Sequence, residues 1–227
     1  MYTIILWDLD NTLLNFTASE KYAFDTCMEN AGITPTDELL AAYSKVNLSF
    51  WKRLERGEIT KDALLTQRFP SFFEAVGISG VDTVLFQRTY QQLLGSVVYP
   101  LDNSLELCQK LHKSFRQYIV TNGVAVTQRS KLKISHLAEC MDGYFISEEI
   151  GAEKPSTAFF DAVFSKIPDF KKENALLVGD SLTSDMLGAN RAQIDACWYN
   201  PAGEAKNPDI SIRYEIKNLW ELEDIIK

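Results

Sequence analysis

Two aspartates near the start of the chain, Asp8 and Asp10, are the residues best suited to chemistry. They follow the apolar run Ile4–Trp7, which predicts a strand buried on both faces of a parallel sheet. Carboxylates at the end of such a strand lie where open α/β sheets bind ligands, and burying them is costly without a cation or hydrogen bonds. One aspartate could attack phosphorus while its neighbour transfers protons, with Mg²⁺ holding both near an anionic substrate. The alternative is a polar turn in which Asn11 and Thr12 cap a helix.

Two further polar sites follow in the second half of the chain. Thr121, Asn122 and Gly123 end a second apolar run, where a hydroxyl and backbone N–H groups can donate to a phosphate oxygen. The alternative is a simple turn, since Asn-Gly is a common turn dipeptide. Lys154 lies in a loop ahead of a predicted helix and could supply a positive charge to a phosphate. Its alternative is an ordinary solvated lysine.

A second acidic site follows the apolar run Ala175–Val178. Asp180 stands at the end of this predicted strand, and Asp185 could reach back from the first turn of the next helix. The alternative is an aspartate N-cap with a second carboxylate near the helix dipole. All these side chains map to one edge of one sheet, however, and in combination they predict a site for Mg²⁺ and a phosphate.

The pattern of elements predicts the fold class that such a site needs. From Pro100 onward, apolar runs alternate with helical segments, which is typical of βα units and a parallel sheet. We therefore predict an α/β protein with a Rossmann-like parallel sheet and helices on both faces. Glycine-rich phosphate loops of the Walker or dinucleotide type are absent from the sequence.

The region directly after the first strand is predicted to be wholly helical. One helix ends at Gly32, a second covers Leu39–Glu55, a third begins after the N-cap Thr60, and a fourth covers Val81–Leu94. The third is expected to reach Phe73 with a break at Pro70. We accordingly predict a core of residues 1–15 and 96–227, interrupted by an inserted α-helical cap domain of residues 16–95.

The amino-acid composition limits the classes of molecule that the protein is expected to bind. The net charge of −8 argues against nucleic-acid polymers and anionic membranes, which recruit basic surfaces. The four cysteines are scattered without a C-x-x-C pair, so we expect reduced thiols and neither disulfides nor a zinc site. No apolar stretch approaches membrane-spanning length, and the first strand begins too close to Met1 for a cleavable signal. A cytoplasmic location is expected.

The polar sites together resemble the four motifs of haloacid dehalogenase (HAD) superfamily phosphatases with an inserted helical cap. The motifs occur in order along the chain as Asp8-x-Asp10-x-Thr12, Thr121-Asn122, Lys154-Pro155 and Gly179-Asp180-Ser181-x-x-x-Asp185. The resemblance implies that Asp8 is the nucleophile and forms an aspartyl-phosphate. It also implies that Asp10 protonates the leaving oxygen and then activates the hydrolytic water.

The same resemblance implies the binding roles. Thr121, Asn122 and Lys154 would bind the phosphoryl group, and Lys154 would also restrain the nucleophile. The implied cofactor is Mg²⁺, held by the Asp8 carboxylate, the Asp10 backbone carbonyl and Asp180, with Asp185 close to the ion. A hard cation with oxygen ligands suits this set.

Other activities on the same scaffold remain as alternatives. A haloacid dehalogenase also uses an aspartate nucleophile, but Asp10 argues against it, because that chemistry needs no acid or base at this position. A phosphonate hydrolase is disfavoured for the same reason. A phosphomutase of the β-phosphoglucomutase kind keeps all four motifs, so only its products would distinguish it. A non-catalytic binding protein would have no use for the complete set of charges.

The inserted region carries the evidence on substrate. The segments 46–51, 55–60 and 67–69 resemble the caps of HAD-type pyrimidine 5′-nucleotidases, as does Ser147–Gly151 in the core. This resemblance implies a nucleoside 5′-monophosphatase with a pyrimidine and deoxyribose preference, the alternative being a sugar-phosphate or phosphoglycolate phosphatase. Asn47 and Arg68 are expected to contact the small-molecule phosphomonoester substrate. Phe50, Trp51 and Phe69 could stack on a base, unless they only pack between helices. Oligomeric state is left open.

Overall fold

Short hydrophobic segments form the strands of a single sheet. The computed structural model describes residues 1–226, and Lys227, the last residue of the predicted core, lies outside the described residues. The strands are β1 (Ile4–Trp7), β2 (Arg116–Thr121), β3 (Gly143–Ile146), β4 (Ala175–Gly179), β5 (Asp195–Tyr199) and β6 (Tyr214–Ile216). Every pair of neighbours is parallel, in the order β3-β2-β1-β4-β5-β6. The predicted α/β fold with a parallel sheet is confirmed.

Helices fill the connections between these strands and the long insert after the first one. They are α1 (Phe16–Asn30), α2 (Asp37–Glu55), α3 (Lys61–Ala75), α4 (Thr83–Leu94), α5 (Ser104–Leu111), α6 (Ala125–Ile134), α7 (Ser147–Ile150), α8 (Thr157–Lys166), α9 (Leu187–Ala192) and α10 (Leu222–Ile225). A π-helical segment, Leu182–Met186, directly precedes α9. Among the described residues, no helix has both the length and the apolar character that crossing a membrane requires.

The first strand lies at the centre of the sheet, and this decides where the site forms. Trp7 is in register with Ile119 of β2 on one side and with Val178 of β4 on the other. Because the three strands are parallel and aligned, their carboxyl ends meet at one edge of the sheet. The residues that follow β1, β2 and β4 are therefore neighbours in space.

Alternate residues of β1 face opposite sides of the sheet, and helices cover both. Ile5 and Trp7 belong to a core cluster that includes Leu107 of α5 and Leu132 of α6. On the opposite face, Ile4 and Leu6 pack in a second cluster, which includes Phe159, Phe160, Met186 and Ala189. Burial on both faces explains the continuous apolar sequence of this strand.

The chain divides into two compact units. One comprises Met1–Phe16 and the chain from Val98 onward, and it contains the whole sheet. The other, Thr17–Val97, contains α2, α3, α4 and nearly all of α1. We refer to these as the sheet unit and the helical unit.

The helical unit is packed around aromatic rings. The rings of Tyr43 and Phe69 stack with centroids 4.9 Å apart, and Tyr90 meets Phe69 edge-on at 5.1 Å. The Thr60 hydroxyl accepts a hydrogen bond from the Ala63 amide at 3.1 Å, so the predicted N-cap of α3 is confirmed.

The predicted break of this helix at Pro70 is wrong. Helix α3 continues through Pro70 to Ala75. A proline in a helix removes one backbone hydrogen bond and crowds the preceding turn. Phe69, Phe72 and Phe73 beside it are all buried, and their packing outweighs this local penalty.

Candidate functional site

The loop after β1 brings Thr12 back onto the first aspartate. The Asp8 amide donates to the carbonyl of Val178, which extends the pairing of β1 with β4 by one residue. Asn11 takes a left-handed conformation (φ 62°), which turns the chain sharply. The Thr12 hydroxyl then lies 3.1 Å from Asp8 Oδ2 and 3.2 Å from Asp180 Oδ1. Since α1 begins only at Phe16, this loop does not serve as a helix cap.

Lys154 lies at the centre of the buried charges. Its Nζ atom is 2.7 Å from Asp8 Oδ1, 2.6 Å from Asp185 Oδ1 and 2.7 Å from the carbonyl oxygen of Val120. The side chain is 1% exposed, so the alternative of a solvated lysine is excluded. Three acceptors use all three hydrogens of the ammonium group and fix its position.

Three carboxylates form a compact acidic cluster beside this lysine. Asp8, Asp180 and Asp185 each place one oxygen within 4.8 Å of the others. Asp185 Oδ2 accepts from the Ser181 amide at 3.1 Å, and a Cβ atom on Gly179 would lie only 2.5 Å from the Asp185 carboxyl carbon. Glycine is therefore required at the end of β4 for the Asp185 carboxylate to approach the backbone.

The charges of the acidic cluster favour the binding of a cation. Burial raises the pKa of Asp8 to about 7, even though Lys154 favours its ionised form. Burial and the two neighbouring carboxylates also raise the pKa of Asp180 well above its usual range. Burial lowers the pKa of Lys154, but Asp185 and Asp8 outweigh it and hold that pKa above its ordinary value. Three carboxylates against one ammonium leave an excess of two negative charges, which a divalent cation would balance.

The donor atoms of the cluster also fit Mg²⁺. All the side-chain ligands that the cluster offers are carboxylate oxygens, the ligand type that Mg²⁺ prefers. The Asp10 carboxylate is engaged elsewhere, so its predicted contribution is the backbone carbonyl. Asp8, Asp180 and Asp185 are the side chains that could hold the ion.

Thr121 and Asn122 end β2 beside the cluster. Thr121 Oγ1 accepts from the Gly123 amide at 3.3 Å and from Gln128 Nε2 at 2.7 Å, which leaves the hydroxyl hydrogen to donate. The Asn122 side chain pairs with the Lys154 backbone, accepting from its amide at 2.8 Å and donating to its carbonyl at 2.9 Å. Asn122 thus holds the lysine loop in place.

Asp10 has a separate environment that the sequence did not predict. Its Oδ1 atom lies 2.6 Å from Lys131 Nζ, and its Oδ2 atom lies 2.9 Å from Gln128 Nε2. Both donors project from α6 and are 1% exposed. The signal that could have found them is their spacing, since polar residues at i and i+3 share one helix face with the buried Leu132 next to them. Asp8 and Asp10 are therefore stabilised by different partners.

The two predicted substrate contacts of the insert lie within the helical unit. Asn47 and Arg68 are 4% and 1% exposed, and Arg68 Nη1 donates to Asn47 Oδ1 at 2.9 Å. Asn47 Nδ2 donates in turn to Glu20 Oε1 at 2.9 Å, and Arg68 Nε donates to Gln87 Oε1 at 3.0 Å. Arg68 Nη2 is buried without a partner among the described residues. The side chains form one buried network, which we call the helical-unit network.

The aromatic side chains of the insert divide into two groups. Phe50 and Phe69 are 5% and 0% exposed, so their rings belong to the interior of the helical unit. Trp51 is only half-buried, and the Lys61 ammonium lies 6.0 Å from its ring centroid. Of the three rings considered for base stacking, Trp51 is the one with accessible surface.

Comparison with known proteins identifies the family. A family model described as haloacid dehalogenase-like hydrolase matches residues 2–193. The chain belongs to the haloacid dehalogenase-like hydrolase family. The prediction that it is an enzyme of the HAD superfamily, and a hydrolase, is confirmed.

Individual relatives match over almost the full length. The chain is 36% identical over 225 residues to the HAD-hydrolase YfnB of Bacillus subtilis, covering 99% of this chain and 95% of that protein. It is 33% identical over 226 residues to the pyrimidine 5′-nucleotidase PynA of Streptococcus pneumoniae, with the same coverage of each. A crystal structure of YfnB bound to magnesium superimposes with a TM-score of 0.92 at 35% identity, covering 100% of this chain and 99% of that one. The predicted resemblance to pyrimidine nucleotidases is confirmed as a similarity of sequence.

Proposed function

We propose that this hydrolase is a Mg²⁺-dependent phosphomonoesterase that acts through an aspartyl-phosphate on Asp8. The observation that carries the proposal is the separation of the two aspartates after β1. Asp8 contacts Lys154 and Thr12 in the acidic cluster, whereas Asp10 contacts Lys131 and Gln128. One carboxylate is thereby set up to attack and the other to transfer a proton, as a two-step displacement requires.

In the first step, an Asp8 oxygen attacks phosphorus and the bond to the leaving oxygen breaks. The anionic nucleophile must approach an anionic phosphate, so the positive charge of Lys154 reduces their repulsion. Lys154 and Thr12 also fix the orientation of the Asp8 carboxylate. Positioning of this kind supplies a large part of the barrier lowering.

Asp10 donates a proton in the first step and accepts one in the second. It gives its proton to the leaving oxygen as the aspartyl-phosphate forms. The resulting carboxylate then takes a proton from the water that attacks the aspartyl-phosphate, which releases orthophosphate and restores both groups. Its side chain is 24% exposed, so a leaving group and a water molecule can reach it.

Thr121 donates to a phosphoryl oxygen, and Lys154 supplies positive charge beside the phosphoryl group, since its three hydrogens already bind Asp8, Asp185 and the Val120 carbonyl. Asn122 acts through its contacts with the Lys154 backbone. The Thr121 hydroxyl can donate to one oxygen while its own oxygen accepts from Gln128. Mg²⁺, when bound by Asp8, Asp180 and Asp185, supplies charge neutralisation at the phosphoryl group. The relative YfnB binds magnesium in its crystal structure, which supports this choice of metal.

The substrate we propose is a nucleoside 5′-monophosphate, with pyrimidine and deoxyribose forms preferred. Two relatives support this, the pyrimidine 5′-nucleotidases PynA and YjjG, the latter from Escherichia coli and 27% identical over 225 residues. A ribulose-1,5-bisphosphate 5-phosphatase of Halopiger xanaduensis, 24% identical, supports sugar phosphates as the second candidate.

We assign specificity to the helical unit, acting as the cap domain. Trp51 is the proposed stacking surface for a base. Asn47 and Arg68 are the proposed polar determinants of specificity, although both side chains are buried within the unit, where Arg68 Nη2 has no partner among the described residues. We place the enzyme in the cytoplasm, where its four buried thiols would stay reduced.

A phosphate-release screen with Mg²⁺ tests the proposal. The panel contains pyrimidine and purine nucleoside 5′-monophosphates, pentose and hexose phosphates, phosphoglycolate and 4-nitrophenyl phosphate. We expect the pyrimidine deoxynucleotides to have the highest kcat/KM. Higher values for a sugar phosphate or phosphoglycolate would refute the nucleotidase assignment alone, whereas no release from any monoester would refute the phosphatase assignment.

The Asp8→Asn protein is the control for contaminating phosphatases in that screen. Mass spectrometry of each product distinguishes a hydrolase from a mutase, because a phosphomutase would return an isomeric phosphate instead of orthophosphate.

A further inference from the structure

The Asp10 carboxylate is held at both of its oxygens by buried donors from one helix. Lys131 Nζ approaches Oδ1 to 2.6 Å, and Gln128 Nε2 approaches Oδ2 to 2.9 Å. Two donors on different oxygens fix the plane of a carboxyl group, whereas one donor leaves it free to rotate. We call Gln128 and Lys131 the α6 clamp.

The clamp is itself fixed by its surroundings. Gln128 also donates to Thr121 Oγ1 at 2.7 Å, which ties it to the proposed phosphate-binding residue. A Cβ atom on Gly123 would lie 2.3 Å from the Gln128 carboxamide carbon, so the loop before α6 closes directly over this side chain. The carboxamide therefore has little freedom to turn away from Asp10.

Lysine side chains are rarely as deeply buried as that of Lys131. Its side chain is 1% exposed, with the ammonium 5.1 Å from the centroid of the Phe16 ring. A buried ammonium is costly unless it is paired, and Asp10 is the carboxylate that pairs with it. An ion pair at the surface would carry a smaller desolvation penalty than this buried pair. The buried pair, however, gives the Asp10 carboxylate a defined position.

We propose that Gln128 and Lys131 are positioning residues that hold the Asp10 carboxyl in the geometry for proton transfer to the leaving oxygen. This inference rests on the proposed phosphomonoesterase activity. As the Asp8–phosphorus bond forms, the leaving oxygen departs with the electron pair of its bond and takes the proton from Asp10. Each carboxyl oxygen has a second lone pair, so the clamp leaves a position on the carboxyl group for the proton that is transferred. Lys131 stabilises the carboxylate that remains, an interaction that strengthens as the proton leaves.

The test compares two monoesters of similar size, 4-nitrophenyl phosphate and benzyl phosphate. Nitrophenolate leaves without protonation, whereas the benzyl alkoxide needs a proton. We expect Lys131→Met and Gln128→Met to lower kcat/KM for benzyl phosphate about tenfold or more beyond any loss on 4-nitrophenyl phosphate, which is part of the roughly 10²- to 10⁴-fold contribution of general acid catalysis. The ratio of the two values is independent of the fraction of enzyme that is folded, so partial misfolding cannot imitate the result.

Two matched variants sharpen the comparison. Lys131→Arg keeps a positive donor and should recover part of the lost ratio, which a purely steric role would not predict. Lys133→Met removes an exposed lysine from the same helix and should leave both substrates unaffected. Equal losses on the two substrates, or no loss, in Lys131→Met and Gln128→Met would overturn the proposal.

Failure of the clamp is distinguishable from failure of the proposed function. Asp10→Asn is the reference and should show the same selective loss on benzyl phosphate. Equal losses in Asp10→Asn would show that Asp10 is not the acid for the leaving group, which overturns both assignments. A wild-type enzyme that hydrolyses neither monoester would refute the phosphatase activity itself.

Discussion

The Nζ atom of Lys154 lies 2.7 Å from the Oδ1 atom of Asp8, although 146 positions separate the two residues in the chain. Both side chains are almost fully buried, at 1% and 10% exposure. A buried ion pair is weak evidence for stability, because desolvation offsets most of the attraction. In the proposed mechanism the value of this pair is chemical, since it keeps a cation beside the carboxylate that would approach a phosphate.

This contact leads to the first prediction. Asp8→Asn should lower phosphate release by at least about 10³-fold, because it removes the nucleophile at nearly constant volume. The fold should survive, since Lys154 keeps its contact with Asp185. Phosphate release and thermal unfolding of the purified variant measure the two effects. Substantial activity in a preparation free of contaminating phosphatase would refute the mechanism.

The second prediction couples Mg²⁺ to pH. In the metal-free protein, burial raises the pKa of Asp8 from its ordinary 3.8 to about 7. Between these values the folded state binds more protons than the unfolded state, so this carboxyl makes metal-free stability fall as pH rises. Mg²⁺ binds the ionised carboxylate, and its stabilising effect should therefore grow over the same interval.

Thermal unfolding with and without Mg²⁺ measures this coupling. The rise in Tm caused by Mg²⁺ should be larger near about pH 8 than near about pH 6. Asp8→Asn should weaken this dependence on pH, because its amide does not titrate. A rise in Tm of the same size throughout that range would contradict the assignment of Asp8 as a ligand.

The third prediction concerns the close approach at the end of β4. Gly179→Ala would place a methyl group 2.5 Å from the Asp185 carboxyl carbon, so the Asp185 side chain must move. We expect a loss of stability of about 1–3 kcal/mol, as for other overpacked sites, and a higher Mg²⁺ concentration for half-maximal activity. Gly143→Ala in β3 is the control, because its methyl group would lie 3.3 Å from Tyr118, a tight but adjustable contact. Equal Mg²⁺ requirements in the two variants would contradict the prediction.

The site motifs were predictable because each follows a strand that the sequence marks clearly. Apolar runs identify β1, β2 and β4, and parallel strands bring Asp8, Thr121 and Asp180 to one edge whatever the details of packing. Lys154 is different, since its loop follows no strand directly. Only its occurrence with the other motifs indicated a role.

The partners of Asp10 were not predictable from pattern alone. Gln128 and Lys131 are polar residues in a helix of mixed composition, and their one local signal, a helix face shared with Leu132, does not show that they are buried or that they contact Asp10. Their role follows from tertiary geometry, because α6 directs one face toward the loop after β1. Tertiary geometry was equally unpredictable for Asn47 and Arg68. The sequence predicted that they contact the substrate, whereas the structure shows them in a buried hydrogen-bond network.

The fourth prediction addresses that helical-unit network. Asn47→Ala removes the acceptor for Arg68 Nη1 and the donor to Glu20 Oε1, leaving both groups buried with fewer partners. We expect a loss of stability of about 1–3 kcal/mol for this change. Arg68→Lys should be less costly in stability, since it keeps the charge, but it cannot reproduce the two directed hydrogen bonds of the guanidinium.

If the network shapes the pocket that receives the nucleoside, both variants should lose discrimination between substrates. The ratio of kcat/KM for thymidine 5′-monophosphate to that for ribose 5-phosphate should fall several-fold, while 4-nitrophenyl phosphate hydrolysis stays near the wild-type rate. A site built from polar partners rejects ligands that cannot pair with it, and it loses this selectivity when the partners are disordered. Arg88→Ala, an exposed arginine of α4, is the matched control and should change neither ratio nor stability. An unchanged ratio in folded Asn47→Ala and Arg68→Lys proteins would show that the network only stabilises the helical unit, and specificity would then have to be sought at Trp51.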